Sequence, residues 1–263
     1  MRQLFLYLYN CNKRKIAIIY FGFITVSLIL LFNMKGVSGA RISGRQDIII
    51  IIFFIALGIN GFAILLTGIS SFRKMLKNSM LRCTSISAQK YISANVLFCV
   101  LLFMILLGIG IIFLYYFSLN IYNGKTDLGV QQAIHSLYDY GILHHMLSIF
   151  LWGLDFVNML VSIYLIIVIT KLFNVKSSMS KIVCVILFVV FIAFNGGITY
   201  IFQQIEKYVF AINNIGFIDQ NGFLNTSFYS GTDITVLNLC FNCLLTIILL
   251  VVTGRIIDKK LEV

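Results

Sequence analysis

The stretch ISANVLFCVLLFMILLGIGIIFLYYFS, residues 92–118, decides the fold of this chain. It is almost wholly apolar and contains no charged side chain. An α-helix needs about 20 predominantly apolar residues to cross the hydrocarbon core of a bilayer. Because backbone polar groups in lipid must be satisfied inside the segment, the run predicts a membrane-spanning helix.

Five further apolar runs of comparable length flank this one. The predicted spans are residues 16–33, 48–70, 92–118, 146–170, 182–202 and 234–254. None alternates as a barrel strand does. We therefore expect an all-α polytopic membrane protein, with residues 1–263 forming a single transmembrane domain. The charge at residues 12–15 stands where a signal peptide would be cleaved, so the first run is expected to be retained.

The composition agrees with the bilayer as solvent. The chain is 60% hydrophobic and 11% charged, with a mean hydropathy of +0.99. Soluble domains carry about 25% charged residues. So little polar surface excludes a water-soluble enzyme of this size.

The basic residues are distributed by topology. Of the 20 Lys and Arg residues, 15 lie before span one, between spans two and three, after span four or after span six. Cytoplasmic segments carry the Lys and Arg excess. Both termini are therefore predicted in the cytoplasm, as in a multi-pass protein of the cell (plasma) membrane. The net charge of +11 is explained without nucleic acid.

The first cytoplasmic segment, residues 72–83, has helical periodicity. Its apolar stripe is Phe72, Met75, Leu76, Met80 and Cys83. Its opposite face is Arg73, Lys74, Lys77, Asn78 and Arg82. A short amphipathic helix between two spans predicts either docking of another protein or binding to anionic lipid. The periodicity favours neither.

The order of parts resembles the membrane subunit of ABC exporters of the type-2 permease family, including Gram-positive peptide-export and immunity permeases. The matching residues are 73–82, the small-residue turn at 84–87, and Ser87 and Tyr91 in a Ser-x-x-x-Tyr entry into span three. The resemblance implies an N-terminal interfacial helix, a cytoplasmic coupling helix and amphipathic external helices before the last span. Residues 195–232 fit the last of these regions, because Gly196 and Gly197 can break span five and residues 200–215 are aromatic and half-polar.

The resemblance also implies partners. Residues 72–87 would dock on a separate ATP-binding-cassette subunit that holds ATP and Mg, and a second permease subunit would complete a homo- or heterodimer in the lipid bilayer. The docking residues would be Phe72, Arg73, Lys74, Met75, Leu76, Lys77, Met80, Arg82, Ser85 and Ser87.

No catalytic or metal-binding motif is expected in this chain. The tripeptide Gly124-Lys125-Thr126 lacks the glycine that a P-loop needs at position 119, which is Leu119. His144 and His145 point to different helix faces, and no H-E-x-x-H occurs. ATP hydrolysis would therefore belong to a partner.

Asp155 is the acidic residue inside a predicted span. A carboxylate at that depth is costly and is a functional candidate by default. With Asn158 one turn away, and Asn238 and Asn242 on one face of span six, it forms a candidate polar core. The alternative is interhelical hydrogen bonding with Asn238, Asn242, Asn60 or Asn195.

The sequence favours a permease subunit of an ATP-driven exporter. Its expected cargo is amphipathic or hydrophobic, such as an antimicrobial or toxic peptide, because few charges line a pathway. The alternatives are a secondary transporter or channel that uses Asp155, and a membrane partner protein that does not itself transport.

Overall fold

The computed structural model describes residues 2–35, 43–77, 87–122, 142–173, 177–209 and 236–260. Six α-helices fill this part of the chain. They are α1 (Arg2–Lys35), α2 (Ser43–Lys77), α3 (Ala88–Tyr122), α4 (Ile142–Leu172), α5 (Ser177–Val209) and α6 (Val236–Lys260). Each is long and apolar enough to cross a membrane. The prediction of an all-helical, multi-pass membrane protein is confirmed, and each predicted span lies on one helix, with residues 234–235 outside the described part.

The helices are longer than a bilayer requires. The longest, α2 and α3, have 35 residues each, against about 20 for the hydrocarbon core. Their ends therefore extend beyond the apolar layer.

The centre of the bundle is α3, which packs against α1, α2, α4 and α6. Phe103 of α3 stacks on Phe156 of α4 with ring centroids 4.4 Å apart. Farther along, Phe53 of α2 contacts Phe23 of α1 at 5.7 Å and Phe117 of α3 at 5.1 Å. Such aromatic pairs add about 0.5–1.5 kcal/mol each beyond area burial. Helix α5 packs on α4 and α6, and none of its residues Ile182–Phe202 is buried.

Three contacts show which helix ends meet. Asn12 of α1 bonds Ser71 of α2, Lys171 of α4 bonds Leu76 of α2, and Asp258 of α6 bonds Ala88 of α3. The start of α1 and α3 and the end of α2, α4 and α6 therefore share one end of the bundle. We name it the basic end, because exposed cations surround it. These are Lys13, Arg14, Lys15, Arg73, Lys74, Lys90, Arg255 and Lys259.

The two glycines of span five do not break it. Helix α5 continues through Gly196 and Gly197 to Val209, so that prediction is wrong. A glycine in a helix costs about 1 kcal/mol. Breaking the helix in lipid would leave several backbone groups unsatisfied, at several kcal/mol each. Continuation costs less. The amphipathic external helices are expected over residues 195–232. Residues 195–209 of this region belong to α5, and residues 210–232 lie outside the described part.

The expected N-terminal interfacial helix is not a separate element of the described chain. Residues 2–10 form the first turns of α1, with Leu4 and Leu8 buried and Phe5 set edge-on to Phe98 at 6.0 Å. These apolar side chains find partners within the bundle. Likewise, residues 72–77 of the expected coupling helix are the last turns of α2, while residues 78–86 lie outside the described part.

Candidate functional site

The end of α2 is held by a side chain from α4. The Lys171 ammonium Nζ donates a hydrogen bond of 2.7 Å to the Leu76 carbonyl oxygen. The carbonyl groups in the last turn of a helix form the negative end of its dipole. Lys171 therefore hydrogen-bonds one of these carbonyl groups and places its positive charge at that end.

The start of α3 is held by a side chain from α6. The Ala88 amide donates to Asp258 Oδ1 at 2.9 Å. Amide groups in the first turn of a helix lack acceptors, and a carboxylate there is favoured by the helix dipole. The Ser87 carbonyl accepts from the Lys90 amide at 3.0 Å and so closes the first turn. The two caps from α4 and α6, which we call the double clamp, fasten both ends of the α2–α3 connection.

The predicted docking residues divide between two faces of α2. Phe72 is fully buried and stacks on Tyr164 of α4, with ring centroids 4.1 Å apart and 15° between planes. Leu76 is buried and Met75 half-buried. Only Arg73 and Lys74 are exposed among residues 72–76.

The apolar stripe read from the sequence therefore faces inward at Phe72 and Leu76. Ser87 is exposed just before α3. Lys77 ends α2, but its side chain lies outside the described part, as do Met80, Arg82 and Ser85.

A buried polar network lies beneath the double clamp. Asn95 Nδ2 of α3 donates to the Gly68 carbonyl of α2 at 3.1 Å and to the Tyr164 hydroxyl of α4 at 2.8 Å. Asn12 Nδ2 of α1 donates to Ser71 Oγ of α2 at 2.9 Å. These bonds join four helices in a region where water is scarce, so each broken bond leaves a buried group unpaired.

Sequence reasoning did not predict that Asn12 and Asn95 form hydrogen bonds between helices. The available signal was an asparagine within or beside an otherwise apolar run, which is typical of contacts between membrane helices. It also missed Lys171 and Asp258 as caps. Their partners are distant in the chain, and no local pattern pairs them.

A second polar cluster lies on α6, where Asn238, Asn242 and Thr246 recur every fourth residue. Asn238 Oδ1 accepts from Thr199 Oγ1 of α5 at 3.3 Å and from Asn242 Nδ2 at 3.4 Å. The Thr246 hydroxyl donates to Asn158 Oδ1 of α4. This polar ladder connects α4, α5 and α6. It brings together three of the four predicted core residues: Asn158, Asn238 and Asn242.

Asp155 lies one turn before Asn158 on α4, with an exposed side chain. Asn158 Oδ1 accepts a hydrogen bond from the Thr246 hydroxyl of α6. Of the other predicted asparagines, Asn60 donates within its own helix to the Ala56 carbonyl at 2.8 Å. Asn195 is half-buried as a residue, and its Oδ1 atom, which is buried, has no hydrogen-bond partner among the described residues. Interhelical hydrogen bonding is thus observed for the asparagines of the ladder.

Comparison of the chain with protein-family models, with curated proteins and with solved structures finds no match.

Proposed function

We propose that this chain is the permease subunit of an ATP-driven ABC exporter, in which a separate ATPase subunit docks on the α2–α3 connection. The observation that supports the proposal most is the double clamp. Lys171 and Asp258 attach the two ends of this connection to α4 and α6. Those are the helices that the polar ladder joins farther into the bundle.

The double clamp provides a route for mechanical coupling. A partner that displaces the end of α2 would displace α4 through the Leu76–Lys171 bond and the Phe72–Tyr164 stack. Displacing the start of α3 would displace α6 through Asp258. Because packed interfaces change in discrete steps rather than continuously, unequal displacement of α4 and α6 would rearrange their contact at Asn158 and Thr246.

The docking surface is polar in the part described. Arg73 and Lys74 are exposed beside the inward-facing Phe72 and Leu76. We therefore propose an acidic patch on the ATPase subunit as their counterpart, with residues 77–87 extending the contact. Complementary charge of this kind speeds association and sets orientation. ATP and Mg belong to that partner.

An amphipathic or hydrophobic cargo, such as an antimicrobial peptide, fits the polar ladder. The ladder places amide and hydroxyl groups beside helix α5, whose residues Ile182–Phe202 are all at least partly exposed. Asn238 and Thr246 are buried, so a cargo with one polar and one apolar side would reach these groups only when α5 and α6 move apart. A second permease subunit, identical or homologous, would complete the translocation path. Because cytoplasmic segments carry the excess of Lys and Arg, we propose that the basic end faces the cytoplasm and that the chain lies in the cell (plasma) membrane.

The test is co-purifying ATP hydrolysis. The tagged chain is extracted from its native membranes in mild detergent, and the ATPase activity of the preparation is measured. Arg73→Glu with Lys74→Glu should remove most of that activity while leaving insertion intact. The matched control is Lys13→Glu with Arg14→Glu, which reverses two exposed charges on α1 at the same basic end of the bundle. This control should retain the ATPase activity. A wild-type preparation without any ATPase activity contradicts the proposal.

A second candidate, a secondary transporter or channel, is favoured by one observation. Asp155 is an exposed acidic residue within a helix apolar enough to span a membrane, one turn from the ladder residue Asn158. Intramembrane carboxylates of this kind serve proton or ion movement in many transporters. The energy source separates the two candidates, because one is driven by ATP and the other by a proton or ion gradient.

A further inference from the structure

A groove of about 290 Å³ lies between α1 and α2 on the outside of the bundle. Its lining residues are Lys15, Ile18 and Ile19 of α1 and Ala63, Leu66 and Thr67 of α2. The Thr67 hydroxyl is already bonded to the Ala63 carbonyl at 2.9 Å. The lining is therefore apolar with a single charged group, Lys15.

The groove opens toward the acyl chains of the bilayer. Ile18 is 71% exposed and Leu66 is 49% exposed. Gly22 lies one turn beyond Ile18 on the same face of α1, and an added Cβ at Gly22 would meet no atom within 4 Å. The open space therefore continues along α1, away from the basic end.

The mouth of the groove at the basic end is positive. Lys15 is exposed, and its aliphatic stem can extend the ammonium toward the headgroup layer. Lys74 follows Thr67 by seven residues, two helical turns, so it shares the groove face of α2, and it is exposed as well. Lys15 thus lines the groove, and Lys74 lies on the same face of α2, two turns nearer the basic end.

We propose that this groove binds an anionic phospholipid, with its phosphate held by Lys15 and Lys74 and an acyl chain along Ile18 and Leu66. The charge pattern selects this occupant. An uncharged helix of another chain would leave the charge of the lining residue Lys15 uncompensated, and a zwitterionic lipid would bring its own cation to the same place. Each basic residue near an anionic headgroup favours binding by about fivefold.

The test uses quenching of a single tryptophan by brominated lipids. The chain has one tryptophan, Trp152, so Trp152→Phe gives a dark background. Ile59→Trp then places the reporter one turn from Ala63, at a position that is 63% exposed. We expect brominated phosphatidylglycerol to quench it at a concentration about fivefold or more below brominated phosphatidylcholine.

Variants of the reporter protein distinguish the contribution of the two lysines from that of the groove. Lys15→Gln with Lys74→Gln should bring the preference for the anionic lipid to about one. Lys13→Gln, about 200° around α1 from Lys15, should keep it. Ala63→Phe should reduce the preference by filling the groove while both lysines remain, and soluble glycerol phosphate should not compete.

Three outcomes would overturn the proposal. They are equal quenching by the two lipids, an equal loss in Lys13→Gln, and an undiminished preference in Ala63→Phe. The second would indicate general surface attraction, and the third a headgroup contact without the groove. Circular dichroism of each variant excludes misfolding as the cause of any loss.

Discussion

Asp258, near the end of α6, caps the Ala88 amide at the start of α3, although 170 residues separate the two in the chain. This bond ties the last helix to the residue at which the α2–α3 connection re-enters the bundle. Gly254, one turn before Asp258, allows the approach, because an added Cβ there would lie 2.5 Å from Gln89 Cγ and 3.4 Å from Gln89 Cα. Side-chain capping across the bundle thus depends on close helix packing.

Removing the Asp258 carboxylate should destabilise the start of α3. Asp258→Ala leaves the Ala88 amide without its acceptor and should cost about 1 kcal/mol, the usual value of a helix cap. Asp258→Asn retains an acceptor oxygen and should recover part of the loss. Thermal unfolding of the purified protein in mild detergent measures the effect. The neighbouring exposed residue supplies the control, Lys259→Ala, which should change stability by less than about 0.5 kcal/mol. Equal losses of stability in Asp258→Ala and Lys259→Ala would show that the Asp258 cap does not stabilise the start of α3.

The Asn95–Tyr164 bond predicts non-additive mutations. Asn95→Leu leaves the buried Tyr164 hydroxyl without its partner and should cost about 1–3 kcal/mol. Tyr164→Phe deletes that hydroxyl but keeps the ring stacked on Phe72. The double variant should therefore be more stable than the sum of the two single losses predicts. Unfolding midpoints of all four proteins give the coupling, and strict additivity would show that the 2.8 Å bond contributes nothing.

Two glycines of α2 should respond oppositely to alanine. A Cβ at Gly68 would lie 2.7 Å from Cys99 Sγ and 3.1 Å from the Tyr164 hydroxyl, so Gly68→Ala forces α2 away from α3 and α4. Gly58 has no atom within 4 Å of that position, and Gly58→Ala should stabilise through helix propensity by up to about 1 kcal/mol. Adding Cys99→Ala to Gly68→Ala should restore part of the stability. No recovery in that double variant would mean that the Cys99 contact is not the cause.

The orientation of the bundle can be tested by labelling. The excess of basic residues at one end predicts that it faces the cytoplasm. In a cysteine-free background, a membrane-impermeant maleimide added outside intact cells should modify Lys125→Cys but not Lys77→Cys. Permeabilised cells should allow both reactions. The reverse pattern in intact cells would invert the orientation and place the proposed docking surface outside.

Asp155 distinguishes the two candidate energy sources. Asp155→Asn keeps the shape and hydrogen-bonding capacity of the side chain while removing the charge and its desolvation cost. An ATP-driven exporter should fold at least as well with this change and keep substantial transport. Cargo efflux should also continue when the proton gradient is collapsed and ATP is supplied.

A proton-coupled transporter should fail both tests, because the amide cannot release a proton. If wild-type efflux stops with the gradient, and the folded Asp155→Asn protein is inactive under all conditions, the secondary-transporter candidate replaces the ATP-driven one.

The sequence by itself determined the class and the helices, because an apolar run in lipid has no alternative to forming its own backbone hydrogen bonds. Residues 92–118 lie within α3 for that reason. The same need for backbone hydrogen bonds explains why α5 continues through Gly196 and Gly197, although the low helix propensity of glycine favours a break there. Helical periodicity also predicted that residues 72–76 form an amphipathic segment, with one apolar and one basic face. It could not show that Phe72 and Leu76 face the chain's own helices, because an inward and an outward apolar stripe have the same spacing.

Only the tertiary structure decided the pairings. Asn95 meets Tyr164, Lys171 meets Leu76 and Asp258 meets Ala88 because six helices pack in one particular arrangement. The partners are from 69 to 170 residues apart. No local pattern encodes such distances. A lone polar residue in an apolar run shows that a partner is needed, since an unpaired group in lipid is costly, but the packing of the helices chooses which one.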